Sequence, residues 1–250
     1  MQVIVDSLLT TYQRLGTGKT LVVLHGWGDN SQSWLTLGAA MAKKYDVVIP
    51  DLPGFGGTQA PSDAWGLDEY ARFVAHFLKK LEVDNVYAYI GHSNGGAITM
   101  RGLSTDNLTC DKLILLASAG IRGQYKGRVK ALRYVTKIGK TLSSPLPQNT
   151  KKKLRQKVYA TVGSDMLVAE HLQATFKRVV TDDVQADAAN ISVPTLLIYG
   201  EADQQAPTTY GEKFHELIDN STLEILPGAG HFLQIDRQAD VKHAVEEFLK

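Results

Sequence analysis

Gly91-His92-Ser93-Asn94-Gly95 sets one hydroxyl between two glycines. The apolar run Val86–Ile90 precedes it, and helix-compatible residues follow from Gly96 to Leu103. A serine at a strand-to-helix switch is the pattern of a nucleophile held on a sharp turn, where the glycines avoid Cβ collisions. The following helix would aim its dipole and free N–H groups at charge developing near Ser93. A serine hydroxyl reacts only when a base takes its proton, and that base needs a third group to orient it. His231, in Gly228-Ala229-Gly230-His231-Phe232, is the candidate base. Asp203, in Tyr199-Gly200-Glu201-Ala202-Asp203, is the candidate orienting acid, with Glu201 ranked second. Two N–H donors for an oxyanion are expected from Trp27, flanked by glycines in His25-Gly26-Trp27-Gly28, and from Asn94.

These residues need a scaffold that brings them to one edge. Leu21–Leu24, Val47–Ile49, Val86–Ile90, Leu113–Leu116, Thr195–Tyr199 and Leu223–Leu226 read as strands buried on both faces. Helices are expected at Ser33–Lys44, Leu67–Leu81, Thr208–Ile218 and Val241–Leu249. In Leu67–Leu81, Tyr70, Phe73, Val74, Phe77, Leu78 and Leu81 form an apolar stripe. This alternation predicts a doubly wound, mostly parallel α/β sheet, with Val3–Val5 and Thr10–Arg14 as an antiparallel edge. Ser93, Asp203 and His231 then all emerge at the C-terminal edge, where open α/β sheets bind ligands. The loop Ala117-Ser118-Ala119-Gly120 after Leu113–Leu116 has no carboxylate, which favours Asp203 as the acid.

Residues 120–190 interrupt the alternation with helix-compatible sequence. They read as an inserted helical cap on a core formed by 1–119 and 191–250. Between Ile121 and Gly163 lie 12 basic residues and no acidic one. The whole chain carries only +1, so the remainder is strongly net negative. This run is read as a solvated helix face, or else as a collar for an anionic or carrier-bound substrate.

Together, His25-Gly26-Trp27-Gly28, Asp51-Leu52-Pro53-Gly54-Phe55-Gly56, Gly91–Gly96 and the Asp203 and His231 loops resemble the α/β-hydrolase family from about Leu21 to Leu249. The resemblance implies a Ser93–His231–Asp203 triad and an oxyanion hole at Trp27 and Asn94. The family more often carries Met, Leu or Gln where Asn94 stands. A serine at 93 counts against the branches that use aspartate there, the haloalkane dehalogenases and epoxide hydrolases. The first two motifs are similar to those of pimeloyl-carrier-protein methyl ester esterases. The expected activity is hydrolysis of a carboxylic ester through an acyl-enzyme. The alternatives are a C–C bond hydrolase or cofactor-free perhydrolase on the same triad, or a ligand sensor without turnover.

No step calls for a metal or organic cofactor, and no histidine pair has metal-ligand spacing. His25 and His92 are expected to be structural, and His76, His171, His215 and His243 solvated or satisfied. The Asp51–Gly56 turn lacks the ending of a phosphate loop and reads as a pocket wall. The near-neutral charge gives no indication of a nucleic-acid partner. One cysteine, Cys110, and Met1–Thr10 without signal-peptide character suggest a cytoplasmic protein. No apolar run is long enough to span a bilayer.

Overall fold

The computed structural model describes residues 1–122 and 169–250. Eight strands form one sheet: β1 (Gln2–Val5), β2 (Leu8–Leu15), β3 (Lys19–Leu24), β4 (Tyr45–Pro50), β5 (Val86–His92), β6 (Lys112–Leu116), β7 (Thr195–Gly200) and β8 (Ser221–Leu226). Their spatial order is β1-β2-β4-β3-β5-β6-β7-β8. The pairs β1–β2 and β2–β4 are antiparallel and every later pair is parallel. The antiparallel edge and the parallel centre are therefore as expected.

β-branched and leucine runs form the centre because both faces are covered. Leu21–Leu24, Val47–Ile49 and Leu113–Leu116 have almost no exposed surface. β8 differs from its expectation. Among the described strands it lies at the edge beside β7, and its residues are half-buried or exposed, with Ile225 facing solvent.

Among the described residues the α-helices are α1 (Leu35–Met41), α2 (Leu67–Lys80), α3 (Asn94–Ser104), α4 (Gln173–Val179), α5 (Gln185–Ala189), α6 (Thr208–Leu217), α7 (Leu233–Asp236) and α8 (Gln238–Phe248). On α2, Tyr70, Phe73, Val74, Phe77 and Leu78 are buried, so the apolar stripe faces the sheet. Truncating Phe77 to alanine would cost about 3–5 kcal/mol.

The helix expected over Ser33–Lys44 is instead a 3-10 turn, Ser31–Trp34, followed by the shorter α1. Asn30 caps Gln32 N, and the Asp29 carboxylate accepts from Ser33 Oγ and Trp34 Nε1, which holds the tighter turn. The last helix starts at Gln238 rather than Val241, and the short α7 before it has no counterpart among the helices expected from the sequence.

Of the stretch 120–190, residues 120–122 and 169–190 are described, and they carry α4, α5 and the 3-10 turn Glu170–Leu172. Except for Ile121 and Arg122, the basic run lies outside the described residues. The described part is tied to α2 by polar contacts. Trp65 N donates to Thr175 Oγ1 at 3.1 Å, and Leu67 N to Asp182 Oδ2 at 3.1 Å. Arg178 binds Glu69 and the Ala64 carbonyl. Asp182 thus satisfies an N–H at the start of α2 that no intrahelical acceptor can reach.

Candidate active site

Ser93 has φ +50° and ψ −116°, outside the regions that L-residues favour. The surrounding contacts impose this backbone. Ser93 N donates to Leu116 O at 3.0 Å, and its carbonyl accepts from Gly96 N and Ala119 N, each at 3.1 Å. A methyl on Gly91 would sit 2.6 Å from Gly96 Cα, and one on Gly95 would sit 2.1 Å from Leu24 O. Both flanking glycines are therefore required by close backbone approach.

Gly95 presses α3 against the end of β3, so the loop after β3 lies beside the serine. A methyl on Gly26 would be 3.1 Å from Ser93 Cβ. The peptide between Gly26 and Trp27 is held by its carbonyl, which accepts from His25 Nδ1 at 2.8 Å and Asp29 N at 3.3 Å. Leu52 N donates to His25 Nε2 at 2.9 Å, which places the ring proton on Nδ1. Burial lowers the pKa of His25. This histidine is neutral and fastens the β3 loop to the β4 loop.

The Trp27 ring lies edge-on to Phe55 at 4.9 Å and tilted against Phe176 of α4 at 5.1 Å. Phe55 belongs to the Asp51–Gly56 turn. The Asp51 carboxylate accepts from Ser31 N at 2.7 Å and Gly57 N at 2.8 Å. That motif is thus a turn that presents an aromatic wall.

In the loops after β7 and β8, His231 Nδ1 lies 2.7 Å from Asp203 Oδ2, with Asp203 fully buried and His231 nearly so. Asp203 Oδ1 accepts from Gln205 N at 2.7 Å and Ala206 N at 3.0 Å. The carboxylate is thereby fixed, and it holds the proton of His231 on Nδ1, which leaves Nε2 as the basic nitrogen. Glu201, the second-ranked acid, instead accepts from Gly228 N at 2.9 Å. Asn94 is the first residue of α3 and is 5% exposed. Its N–H sits at the helix N-terminus, where backbone donors lack intrahelical acceptors.

One contribution is not legible in the sequence. His92 reads there as structural, with no defined task. In the fold its Nε2 donates to the His231 carbonyl at 2.9 Å, and the two rings are 4.8 Å apart. Its position beside the serine is visible in the sequence, but its partner, 139 residues away, is not. Of the other histidines, His76 meets Asp6, His171 Nε2 meets the Gly54 carbonyl, and His215 meets Ser221 Oγ. Among the described residues, no cluster of three or more His, Cys, Asp or Glu has metal-binding geometry. Among them too, no helix is long and apolar enough to cross a membrane.

Known proteins share this arrangement of elements. Residues 21–244 match the model of the alpha/beta hydrolase family. The chain is 25% identical over 262 residues to a 2-hydroxy-6-oxo-6-(2'-aminophenyl)hexa-2,4-dienoic acid hydrolase of Metapseudomonas resinovorans, covering 96% of this chain and 87% of that one. It is 25% identical over 263 residues to a 2-hydroxy-6-oxo-2,4-heptadienoate hydrolase of Pseudomonas putida, covering 99% and 95%. A thermophilic esterase of Thermogutta terrifontis superposes with a TM-score of 0.76 at 18% identity, covering 100% and 97%. That last likeness concerns the fold.

Proposed function

This chain belongs to the alpha/beta hydrolase family, and from that premise we propose that it hydrolyses a carboxylic ester through an acyl-enzyme on Ser93. The observation that carries the reading is the 2.7 Å contact between His231 Nδ1 and Asp203 Oδ2, at the same sheet edge as the strained Ser93 turn. His231 Nε2 takes the Ser93 Oγ proton as Oγ attacks the carbonyl carbon. The oxyanion is met by the N–H groups of Trp27 and Asn94. Collapse breaks the ester C–O bond, and His231 returns the proton to the departing alcohol. Water, deprotonated by His231, then attacks the acyl carbon and releases the acid and Ser93.

The aromatic wall of Trp27, Phe55 and Phe176 suits an apolar portion of the substrate. The test is turnover of a p-nitrophenyl ester series of increasing acyl length, with fluorophosphonate labelling of Ser93. Ser93→Ala should abolish both. Full activity in that variant, or labelling elsewhere, would overturn the assignment.

A second reading is supported by the two relatives named for 2-hydroxy-6-oxo-dienoic acids. Those substrates hold no ester, so their hydrolysis must break a carbon–carbon bond. The same three side chains would serve, with a proton delivered to carbon before cleavage. Loss of dienoate absorbance without p-nitrophenyl ester turnover would favour this reading. Stabilisation by a ligand without any turnover would identify a sensor instead. The basic stretch 121–163 supports an anionic or carrier-bound ester as the natural substrate.

A further inference from the structure

Tyr199 follows the apolar residues Leu196–Ile198 of β7 and is completely buried. A phenylalanine would fill the same space without the cost of burying a hydroxyl, so the hydroxyl needs a partner. It donates to the Ser118 carbonyl at 2.9 Å. Burial holds its pKa well above the ordinary tyrosine value, so the phenol keeps its proton and stays a donor. α6 fixes the ring, since a methyl on Gly211 would sit 2.6 Å from Tyr199 Cδ2.

The Ser118 carbonyl and the Ala119 N–H belong to one trans peptide and point in opposite directions. The Ala119 N–H donates to the Ser93 carbonyl at 3.1 Å. That carbonyl belongs in turn to the peptide whose N–H is that of Asn94. A chain of hydrogen bonds therefore runs from the Tyr199 phenol through the Ser118–Ala119 peptide to the Ser93–Asn94 peptide. Each bond in such a chain polarises the next. The turn that carries the chain is also pinned to its neighbours. Ala117, with φ +44°, donates from N to Ile198 O at 2.8 Å, and Leu116 O accepts from Ser93 N at 3.0 Å. The left-handed backbones of Ala117 and Ser93 are thus braced against each other and against β7.

We propose that Tyr199 is a positioning residue for the oxyanion hole. Through the Ser118–Ala119 peptide it fixes the plane of the Ser93–Asn94 peptide and strengthens the Asn94 N–H as a donor. The inference rests on the acyl-enzyme reading, in which that N–H meets the oxyanion. A donor polarised in advance gains most when its acceptor carries full negative charge. The contribution therefore falls on the transition state rather than on substrate binding.

Tyr199→Phe removes one oxygen atom and keeps the ring. It should lower kcat for a p-nitrophenyl ester by about 10-fold, as loss of one buried hydrogen bond allows, with KM within about twofold. Benzeneboronic acid, whose tetrahedral adduct on Ser93 is anionic, should bind more weakly by the same factor of about 10. Tyr87→Phe is the control. The Tyr87 hydroxyl also bonds a carbonyl, that of Leu249 at 2.8 Å, but Tyr87 lies near the start of β5 and Ser93 just past its end. That variant should keep kcat within about twofold. A bond that served stability alone would lower the melting temperature of both variants and leave kcat in both. Unchanged kcat in Tyr199→Phe, or a raised KM at unchanged kcat, overturns the proposal.

If the wild-type protein turns over no ester, the acyl-enzyme reading fails and amide hydrogen exchange decides the positioning role. Measured relative to the Leu115 N–H of β6, the Ala119 N–H should exchange about 10-fold faster in Tyr199→Phe than in wild type. An unchanged ratio overturns the role. If Tyr199→Phe gives no folded protein, exchange in the wild type decides. Protection of the Ala119 N–H comparable to that of Leu115 supports the chain, and free exchange overturns it.

Discussion

His92 Nε2 donates to the backbone carbonyl of His231 at 2.9 Å, so the residue beside Ser93 fixes the loop that carries His231. A carbonyl only accepts, so the ring proton is on Nε2, and Nδ1 is left buried without a partner. The ring is completely buried, and burial, reinforced by the neighbouring His231, lowers its pKa to about 4. His25, between the β3 and β4 loops, is likewise buried and its pKa lowered.

Both histidines are neutral in the fold, but the unfolded chain protonates them below a pH of about 6.5. Their contribution to stability is complete above that value and is lost as pH falls below it, for His92 down to about 4. His92 should cost about 1.4 kcal/mol per pH unit across this window, and His25 adds to the decline in the same direction. Urea melts at pH 7, 5.5 and 4.5 should show the decline. His92→Phe should flatten the slope by about one proton, and an unchanged slope would contradict the assignment.

Asp203→Asn should reduce kcat by about 10³- to 10⁴-fold while leaving the fold intact. The reason lies in Oδ1, which two backbone N–H groups already hold. An asparagine oxygen would keep those bonds and turn its NH₂ toward His231 Nδ1. The imidazole proton would then move to Nε2, where the basic lone pair is needed. Glu201→Gln should alter kcat by less than about threefold, because Glu201 bonds Gly228 N instead. Steady-state kinetics on both variants separate the two carboxylates.

Gly26→Ala and Gly95→Ala should fail in different ways. The methyl on Gly26 meets the His92 ring at 2.9 Å and Ser93 Cβ at 3.1 Å, so small shifts can accommodate it, at the expense of the site. We expect a folded protein with kcat/KM lowered by about 100-fold. The methyl on Gly95 meets the carbonyl oxygen of Leu24 at 2.1 Å, where neither backbone can yield. That variant should not give soluble folded protein. Circular dichroism and activity on the two variants test the contrast.

Arg101→Met should destabilise the fold by about 3 kcal/mol. Arg101 joins three helices. It binds Asp187 of α5 at 3.0 Å, Asp68 of α2 at 3.1 Å and the carbonyl of Asp183 at 3.3 Å. Its removal leaves Asp187 buried without its cation. Replacing both in Arg101→Met/Asp187→Leu should recover much of the loss, because the stranded charge is gone. Chemical denaturation of the single and double variants checks this.

Much of the scaffold is legible in the order of the amino acids, for a physical reason. Leu21–Leu24 and Leu113–Leu116 are covered on both faces, so local composition alone marks them. Ser93 and Asp203 follow buried strands within a few residues and His231 follows the edge strand β8, and their shared edge follows from topology. What escapes the sequence depends on partners distant in the chain. The His92–His231 bond spans 139 residues, and the Asp182 cap on α2 spans 115. Neither leaves a periodic trace. The bond from the Tyr199 hydroxyl to the Ser118 carbonyl is equally hidden, since burial and pairing are properties of the packed state. β8 misleads for the opposite reason: Leu223–Leu226 looks like an interior strand but lies at the sheet edge.

β6 and β7 are hydrogen-bonded neighbours, yet β6 ends at Leu116 and β7 begins at Thr195. Closing a loop scales with the logarithm of its length, so a connection of roughly eighty residues costs about 1.2 kcal/mol more than one of roughly twenty. The register that places Leu113 opposite Thr195 is held by pairing along the whole of both strands, through Leu116 and Ile198. Length and composition of that connection can therefore drift between descendants of one ancestor for little more than the free energy of a single hydrogen bond. The sheet that places Ser93, Asp203 and His231 at one edge is shielded from that drift.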